Sequence, residues 1–180
     1  MPNYKFTRKL MTTKEEMEAA MGGMPRWAKT LTAFLYLFGC RVSEAIQLKK
    51  EDFEISEGYI QVTIPLLKKR KLNGPYAPMH VLRVSRKAPF ADAVAEWVEC
   101  AKPGGRVWPR TRVRAWQVLK RAKSDLSPHV FRHDRLSKLA LAGADGPALM
   151  EWAGWADLRP AANYLHMAGR KAAQFSDKVQ

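Results

Sequence analysis

Hydrophobic positions in the first part of the chain recur at the spacing of helix faces. A capping-box pattern at Thr13, with Glu three positions later, opens an amphipathic segment that ends at Gly22. Apolar residues then return every three or four positions from Pro25 to Gly39, which is typical of a helix with one buried face. We predict two helices here and a third over residues 40–48.

The period of the pattern changes to two after Tyr59. Apolar and polar residues alternate through Leu66, and the turn signal Asn73-Gly74 precedes a second such run from His80 to Val84. The pattern predicts an antiparallel hairpin with one buried face. Three prolines favour an edge or irregular position for its strands, because proline lacks the N–H that a strand ladder needs. They are Pro65, Pro75 and Pro78.

Helical spacing resumes in the second half of the chain. The predicted helices cover residues 89–101, 111–123, 128–142, 145–154 and about 157–168. The expected fold class is therefore mainly α with a small antiparallel β-sheet (α+β). A chain of 180 residues has the size of one domain, so we expect a single domain over residues 1–180.

Charge narrows the range of partners. The chain has 31 Lys and Arg residues against 17 Asp and Glu, a formal net charge of +14, which attracts polyanions such as nucleic acid. No apolar run reaches the ~18 residues of a membrane-spanning helix, so a membrane partner is not expected. Two distant cysteines, Cys40 and Cys100, and a start without an apolar signal core favour a reducing, cytoplasmic location.

Cations concentrate at two places in the sequence. One is the tip of the predicted hairpin and the other is the helix predicted over 111–123. Both suit contacts with a nucleic-acid backbone, although a solubilising strand edge and a solvated helix face would read similarly. The candidate DNA-binding residues are Lys68, Lys69, Arg70, Lys71, Arg112, Arg114, Lys120 and Arg121.

The segment from Ser127 to His133 carries the clearest candidate chemistry. Pro128 suits the first helical turn, and Ser127 before it can cap the free amides. His129, Arg132 and His133 then share one helix face at an end that favours anions. A solvated basic face is one alternative. A metal pair is another, although the Glu that follows the first His in zinc proteases is absent here.

A second candidate cation lies at the start of the helix predicted over 40–48. Arg41 and Glu44 are three positions apart, so the carboxylate can brace the guanidinium on the same helix face. The alternative is an ordinary surface ion pair that contributes less than ~1 kcal/mol.

Taken in order, these segments resemble the catalytic domain of the tyrosine recombinases, the phage integrase family. Gly39–Glu44 fits the family pattern Gly-x-Arg-x-Ser-Glu, and His129–His133 fits the His-x-x-Arg-His box. Ala153-Gly154-Trp155 matches the element that follows, and Tyr164 comes nine positions after Trp155, where the family has its nucleophile. The resemblance covers residues 12–167, with the Lys-bearing hairpin in the expected place.

The resemblance implies a role for each matching residue. Tyr164 would attack a DNA phosphate, while Arg41 and Arg132 would neutralise its non-bridging oxygens through paired hydrogen bonds. His129 and the Trp155 indole would each add one hydrogen bond.

Two supporting residues and a general acid complete the implied set. Glu44 would brace Arg41. His133 would support the residues that contact the phosphate without contacting it itself. Lys68 would protonate the leaving 5′ oxygen, with Lys69 and Lys71 as the alternatives.

The implied reaction is site-specific recombination or integration of DNA through a 3′-phosphotyrosyl intermediate, with no metal and no nucleotide cofactor. Family members act on double-stranded DNA as tetramers, so the resemblance implies a homo-oligomer, at the nucleoid or on host DNA if a mobile element encodes the chain. The sequence departs from the family in two ways. It has no room for the usual N-terminal clamp domain, which an accessory DNA-binding protein would then replace, and it has Trp155 where most members have His.

Two rival functions stay open. One is a type IB topoisomerase-like enzyme that relaxes DNA with the same chemistry, and the other is a non-catalytic DNA-binding protein derived from an integrase. Tyr164 also has a structural interpretation, as a helix tyrosine packed on the core, and Trp155 has one as simple packing.

Overall fold

The computed structural model describes residues 13–65, 79–123 and 126–166. In this part of the chain, helices come before and after one small sheet, which agrees with the predicted fold class. The helices are α1 (Lys14–Met21), α2 (Arg26–Phe38), α3 (Val42–Ala45), α4 (Ala91–Glu99), α5 (Arg112–Ala122), α6 (Pro128–Leu141), α7 (Gly146–Ala153) and α8 (159–166). The strands are β1 (Phe53–Ile55), β2 (Tyr59–Pro65) and β3 (Met79–Ser85), and a 3₁₀ turn, Lys50–Asp52, precedes β1.

Within the described residues, the strands form one antiparallel sheet in the order β1-β2-β3. The alternating pattern predicted its buried face, because Ile60, Val62 and Ile64 on β2 are all fully buried. The sequence pattern did not indicate β1, which is only three residues long.

The predicted edge position of the hairpin is wrong for β2, which is the central strand of the sheet. Pro65 is tolerated because β1 pairs only with residues 60–62 and ends before it. At Pro65 the only partner in the described sheet is Met79 on β3. The missing N–H therefore disrupts no ladder with β1. Pro75 and Pro78 lie outside the described residues.

Helix α2 forms the centre of the main core. Its residues Phe34 and Phe38 are fully buried, with ring centroids 4.7 Å apart, and Trp108 packs on Phe34 at 4.8 Å. The Trp108 indole N–H donates a hydrogen bond to the Thr30 hydroxyl at 3.1 Å, so the buried ring also has its polar group satisfied. This core fixes α2 against α4 and α6.

A smaller hydrophobic cluster lies where α6, α7 and α8 meet. Two leucines and three alanines pack there around one tyrosine, and we call this group the Tyr164 cluster. Its buried members are Leu136, Ala140, Leu149, Ala153, Ala161 and Tyr164. The Trp152 side chain packs against both cores, and its indole N–H donates to the Phe38 carbonyl at 2.9 Å.

Most predicted helix bounds are confirmed to within a few residues, but the helix predicted over 40–48 is wrong in length. Only α3, a single turn, forms there. The chain leaves the helix after Ala45 because Leu48 is fully buried and its carbonyl accepts a hydrogen bond from the Val107 N–H at 2.9 Å. The predicted Ser127 cap is also wrong, since its side chain makes no capping hydrogen bond to α6.

No helix among the described residues is long and apolar enough to cross a membrane.

Candidate active site

The first candidate residue, Arg41, lies at the sharp junction between α2 and α3. Gly39 ends α2 in the left-handed conformation, and a side chain there would come within 2.7 Å of the Arg135 Cβ. Arg41 is the N-cap of α3, and its guanidinium donates to the Glu44 carboxylate at 2.8 Å. The Arg41 backbone N–H donates to the other Glu44 oxygen at 2.9 Å.

This contact is the predicted one, but it is no ordinary surface ion pair. Glu44 is only 1% exposed, so its charge depends on Arg41 and the backbone for compensation. The Arg41 side chain is partly exposed and is held in its orientation by Glu44, from the same turn. A guanidinium fixed in this way is ready to bind a second anion.

Arg132 is buried in the second turn of α6, with 8% of its surface exposed. Its guanidinium donates to the Gly39 carbonyl at 3.1 Å and to the Ala153 carbonyl at 2.5 Å. Both carbonyls belong to helix C-termini, of α2 and α7, where the backbone oxygens lack helical partners and the macrodipole favours a cation. Arg132 therefore joins two helix ends.

Burial and the neighbouring Arg41 lower the pKa of Arg132, and the Glu44 carboxylate opposes that shift. The guanidinium stays charged, because an arginine does not lose its proton in a protein at any ordinary pH. The two arginines are thus close enough for their charges to interact, and Glu44 offsets their mutual repulsion.

Tyr164, on α8, is packed against the same helices and is only 4% exposed. Its hydroxyl lies 2.6 Å from the His133 Nδ1. The tyrosine ring stacks with the Trp155 ring at 5.8 Å and with the His133 ring at 5.9 Å. The hydroxyl and the ring of the nucleophile candidate are therefore both in contact with candidate site residues.

Burial lowers the pKa of His133, and the charges of His129 and Arg132 lower it further. The imidazole is therefore neutral near pH 7, which leaves one ring nitrogen able to accept a proton. In that state Nδ1 can accept the hydrogen bond from the Tyr164 hydroxyl.

Trp155 follows the end of α7 and contacts two candidates at once. Besides stacking on Tyr164, its ring lies 5.8 Å from the Arg132 guanidinium, a cation–π distance. Trp155 therefore packs on both Tyr164 and Arg132.

His129 is exposed in the first turn of α6 and lines a groove of about 480 Å³. The groove separates the start of α6 from the start of α5. The other lining residues are Val42, Arg112, Val113, Trp116, Ser127 and Pro128.

A comparison with known protein families identifies the family of this chain. The family model described as Phage integrase family covers residues 9–170 of the chain. The chain belongs to the phage integrase family.

Relatives in this integrase family are long proteins of which the chain covers only part. Tyrosine recombinase XerD of Staphylococcus saprophyticus is 26% identical, over 91% of this chain and 61% of its own length. Tyrosine recombinase XerC of Pelotomaculum thermopropionicum is 30% identical, over 79% of this chain and 50% of its own length. The chain thus spans half to three-fifths of these two relatives.

Two solved integrase-family structures share the fold. The XerH recombinase bound to its difH substrate, in a pre-cleavage complex, matches with a TM-score of 0.64 at 19% identity, over 91% of this chain and 52% of that one. The catalytic domain of bacteriophage HP1 integrase matches with a TM-score of 0.62 at 16% identity, over 92% of this chain and 94% of that one. The mainly helical fold with a small antiparallel sheet is therefore the catalytic-domain fold of this family.

The integrase-family residues predicted from the sequence fall into three groups in the structure. The first group lies around Arg132 and consists of Arg41, Glu44, Arg132, His133, Trp155 and Tyr164. His129 lies nearby, on the exposed end of α6. The second group, the α5 cations, is remote from Tyr164 along the chain, with Arg112, Arg114 and Arg121 exposed and Lys120 half-buried. The third group lies outside the described residues. It comprises Lys68, Lys69, Arg70 and Lys71.

Sequence reasoning missed the backbone groups that hold Arg132. The carbonyls of Gly39 and Ala153 carry no side-chain signal, and they lie 93 and 21 positions away from Arg132 in sequence. Sequence reasoning also missed the exposure of Val113 and Trp116, because apolar residues on a helix usually indicate its buried face. Among the described residues, no group of three or more His, Cys, Asp or Glu side chains is arranged to hold a metal ion.

Proposed function

We propose that this chain is the catalytic part of a site-specific DNA recombinase or integrase, which breaks and rejoins strands through a 3′-phosphotyrosyl intermediate. One observation carries the proposal. Tyr164, its hydrogen-bond acceptor His133 and the buried Arg132 form one connected group beside Arg41. These are the residue types that attack on a phosphodiester needs, and they lie in the family's order along the chain.

The reaction is a transesterification in which the number of ester bonds is conserved. The Tyr164 oxygen forms a bond to the scissile phosphorus, and the bond from phosphorus to the 5′ oxygen breaks. The tyrosine proton passes to a neighbouring imidazole that acts as the base. The leaving 5′ oxygen takes a proton from Lys68 or a neighbouring lysine. A 5′ hydroxyl of another strand then reverses these steps, so the cycle needs no nucleotide cofactor.

Arg41 and Arg132 stabilise the negative charge on the phosphate oxygens in the transition state. A guanidinium has five N–H donors, and Arg132 uses two of them on the Gly39 and Ala153 carbonyls. These two bonds set the plane of the guanidinium, and we assign the other donors to phosphate oxygens. Because its donors are fixed before substrate binds, Arg132 needs no reorganisation during the reaction.

The observed position of Tyr164 is a resting one. Its side chain is almost fully buried, and its hydroxyl is bonded to His133. A DNA phosphate is too large to enter that space, so α8 has to move outward before the hydroxyl can attack. In this proposal His133 holds the tyrosine until DNA is bound, and His129 and Trp155 add single hydrogen bonds to the phosphate.

Double-stranded DNA is the proposed partner. The net charge of +14 and the exposed arginines of α5 support this assignment. The active assembly would be a homotetramer on DNA, together with an accessory DNA-binding protein.

A suicide substrate tests the proposed function. The chain is incubated with a pool of nicked, random-sequence duplexes that lose a short fragment after cleavage, and covalent complexes are separated in denaturing gels. The intact chain should form an adduct attached through Tyr164. Tyr164→Phe should form none while its DNA binding at fixed salt is retained.

Other outcomes discriminate between the rival functions. DNA binding without any adduct would mean a non-catalytic DNA-binding protein. Relaxation of supercoiled plasmid without any exchange of strands between two duplexes would mean a topoisomerase-like enzyme.

A further inference from the structure

Helix α5 exposes apolar side chains in the middle of a basic surface. Val113 is 60% exposed and Trp116 is 49% exposed, whereas Ala115, Val118 and Leu119 face the core. Residues three and four apart share a helix face, so the outward face of α5 is a stripe of four residues. We call it the α5 stripe. It consists of Val113, Trp116, Gln117 and Lys120.

The charges around the α5 stripe select its partner. Exposed arginines flank it at positions 112, 114 and 121, and α5 itself contains no acidic residue. The Lys120 ammonium lies 5.9 Å from the centre of the Trp116 ring, within the stripe. An apolar patch that docks a protein is usually depleted of charge at its core, whereas one enclosed by cations is complementary to a polyanion.

The α5 stripe begins in the groove that reaches the candidate active site. Val113 and Trp116 line this groove on one side, and His129 lines it at the start of α6. Val42, on the groove wall, is the residue after Arg41. DNA whose scissile phosphate contacts Arg41 and His129 would therefore place its adjacent base pairs against the α5 stripe.

The chemistry of the stripe points to bases and not to phosphates. A phosphate binds cations and hydrogen-bond donors, so valine and an indole face offer it nothing. The major groove is wide enough for a helix, and the one apolar group on its base edges is the 5-methyl group of thymine. Gln117, next to Trp116, is a side chain that pairs with adenine edges.

We propose that α5 is a base-reading helix, and that Val113 and Trp116 contact the 5-methyl group of a thymine close to the scissile phosphate. The inference rests on the proposed function only in taking DNA as the substrate. It assigns sequence selection to residues that take no part in bond breaking.

Replacing single thymines by deoxyuridine tests the contact, because the two bases differ only by that methyl group. Binding sites are first selected from a randomised duplex library with the intact chain. Each thymine of the selected duplex is then replaced in turn, and the Kd is measured at one fixed salt concentration. At one or two positions we expect binding to weaken about fourfold, the factor for one buried methyl group.

A variant of α5 and a control variant complete this test. In the double variant Val113→Ser, Trp116→Ser, thymine and deoxyuridine at the sensitive position should bind equally, since the methyl group has lost both apolar partners. Leu158→Ala is the matched control, because Leu158 is also a 50% exposed apolar residue but lies off α5. This control should keep the fourfold difference.

Equal binding of thymine and deoxyuridine at every position of the selected duplex would overturn the inference. So would a Trp116→Ala variant that changes the oligomeric state of the free chain and leaves base selection intact, since the patch would then be a protein interface. The covalent-adduct assay separates the two proposals. An adduct without a deoxyuridine effect overturns only the base-reading helix, and a deoxyuridine effect without an adduct overturns only the catalytic proposal.

Discussion

The two hydrophobic clusters among the described residues are built differently. The main core around α2 contains large rings, with Phe38 and Trp108 both in contact with Phe34. The Tyr164 cluster is made largely of alanines and two leucines, and its largest side chain is the proposed nucleophile itself. The first cluster therefore fixes the C-terminal end of α2, next to Arg41, while under the proposed function the second holds a group that has to leave it.

Under the proposed function, this difference lets the chain combine a rigid part with a part that moves. Segments that move are drawn from the parts of a protein with few buried apolar contacts. Alanine side chains bury little area, so releasing α8 from the Tyr164 cluster costs much less than disturbing α2. What holds Tyr164 is mostly specific contact, through the His133 hydrogen bond and two stacked rings.

The largest expected effect is on the main core. Phe34→Ala should lower the free energy of unfolding by about 3–5 kcal/mol, because it leaves a cavity among fully buried rings. Urea denaturation followed by far-UV circular dichroism measures this loss. Leu149→Ala is the matched change in the Tyr164 cluster, and hydrogen exchange should show faster exchange over residues 146–166 with α2 still protected. Equal loss of protection in α2 would show that the two clusters unfold as one unit.

The next effect concerns the residue that joins the two clusters. Arg132→Lys keeps the charge but loses the planar fork that reaches the Gly39 and Ala153 carbonyls. Adduct formation on the suicide substrate should slow by about 10²–10³-fold, the usual cost of losing a transition-state hydrogen-bond donor. Arg135→Lys is the control on the same helix, since Arg135 packs on Trp152 at 4.8 Å. A comparable slowing in that control would assign the effect to helix packing.

The smallest effect is a pH dependence of folding stability that comes from His133, the partner of Tyr164. The pKa of His133 is lower in the folded chain than its unfolded value of about 6.5. The unfolded state therefore binds more protons below that pH, and stability falls as pH decreases through about 6.5 towards the folded pKa. The loss should be under about 1 kcal/mol, because solvent screens the half-buried ring.

Urea midpoints measured at about pH 8 and about pH 5 check this dependence. The difference between the two midpoints should be smaller in His133→Gln than in the unaltered chain. An identical difference in both proteins would show that other groups cause it, and the proposed holding contact between His133 and Tyr164 would lose its support.

Local patterns were enough to predict most of the fold. Thr13 and Asp145 cap α1 and α7 through their own side chains. The starts of these two helices are therefore determined by a few neighbouring residues. The helix predicted over 40–48 failed for the opposite reason. Its end depends on Val107, which lies far along the chain. The Val107 N–H binds the Leu48 carbonyl, and Leu48 is then no longer part of the helix.

In the candidate site, too, local patterns predicted some features and could not predict those that depend on distant residues. Ordered motifs predicted Arg41, Arg132 and Tyr164 as members of one site, because each motif has a recognisable local spacing. They did not predict that Tyr164 is buried against His133, since a family pattern describes the residues of a reaction and not the resting position of one side chain. The exposure of Trp116 was equally out of reach, because it depends on which neighbours cover α5.

The attachment of Arg132 to two helix ends has a consequence for the stage of folding at which the proposed DNA cleavage becomes possible. The guanidinium is correctly placed only when the last turns of α2 and α7 are both formed and adjacent. A nascent chain that has made Arg41 but not yet α7 lacks this placement. Under the proposed function, the capacity to cut DNA therefore arises only with completed folding, and an unfinished or partly opened molecule can bind its substrate without breaking it.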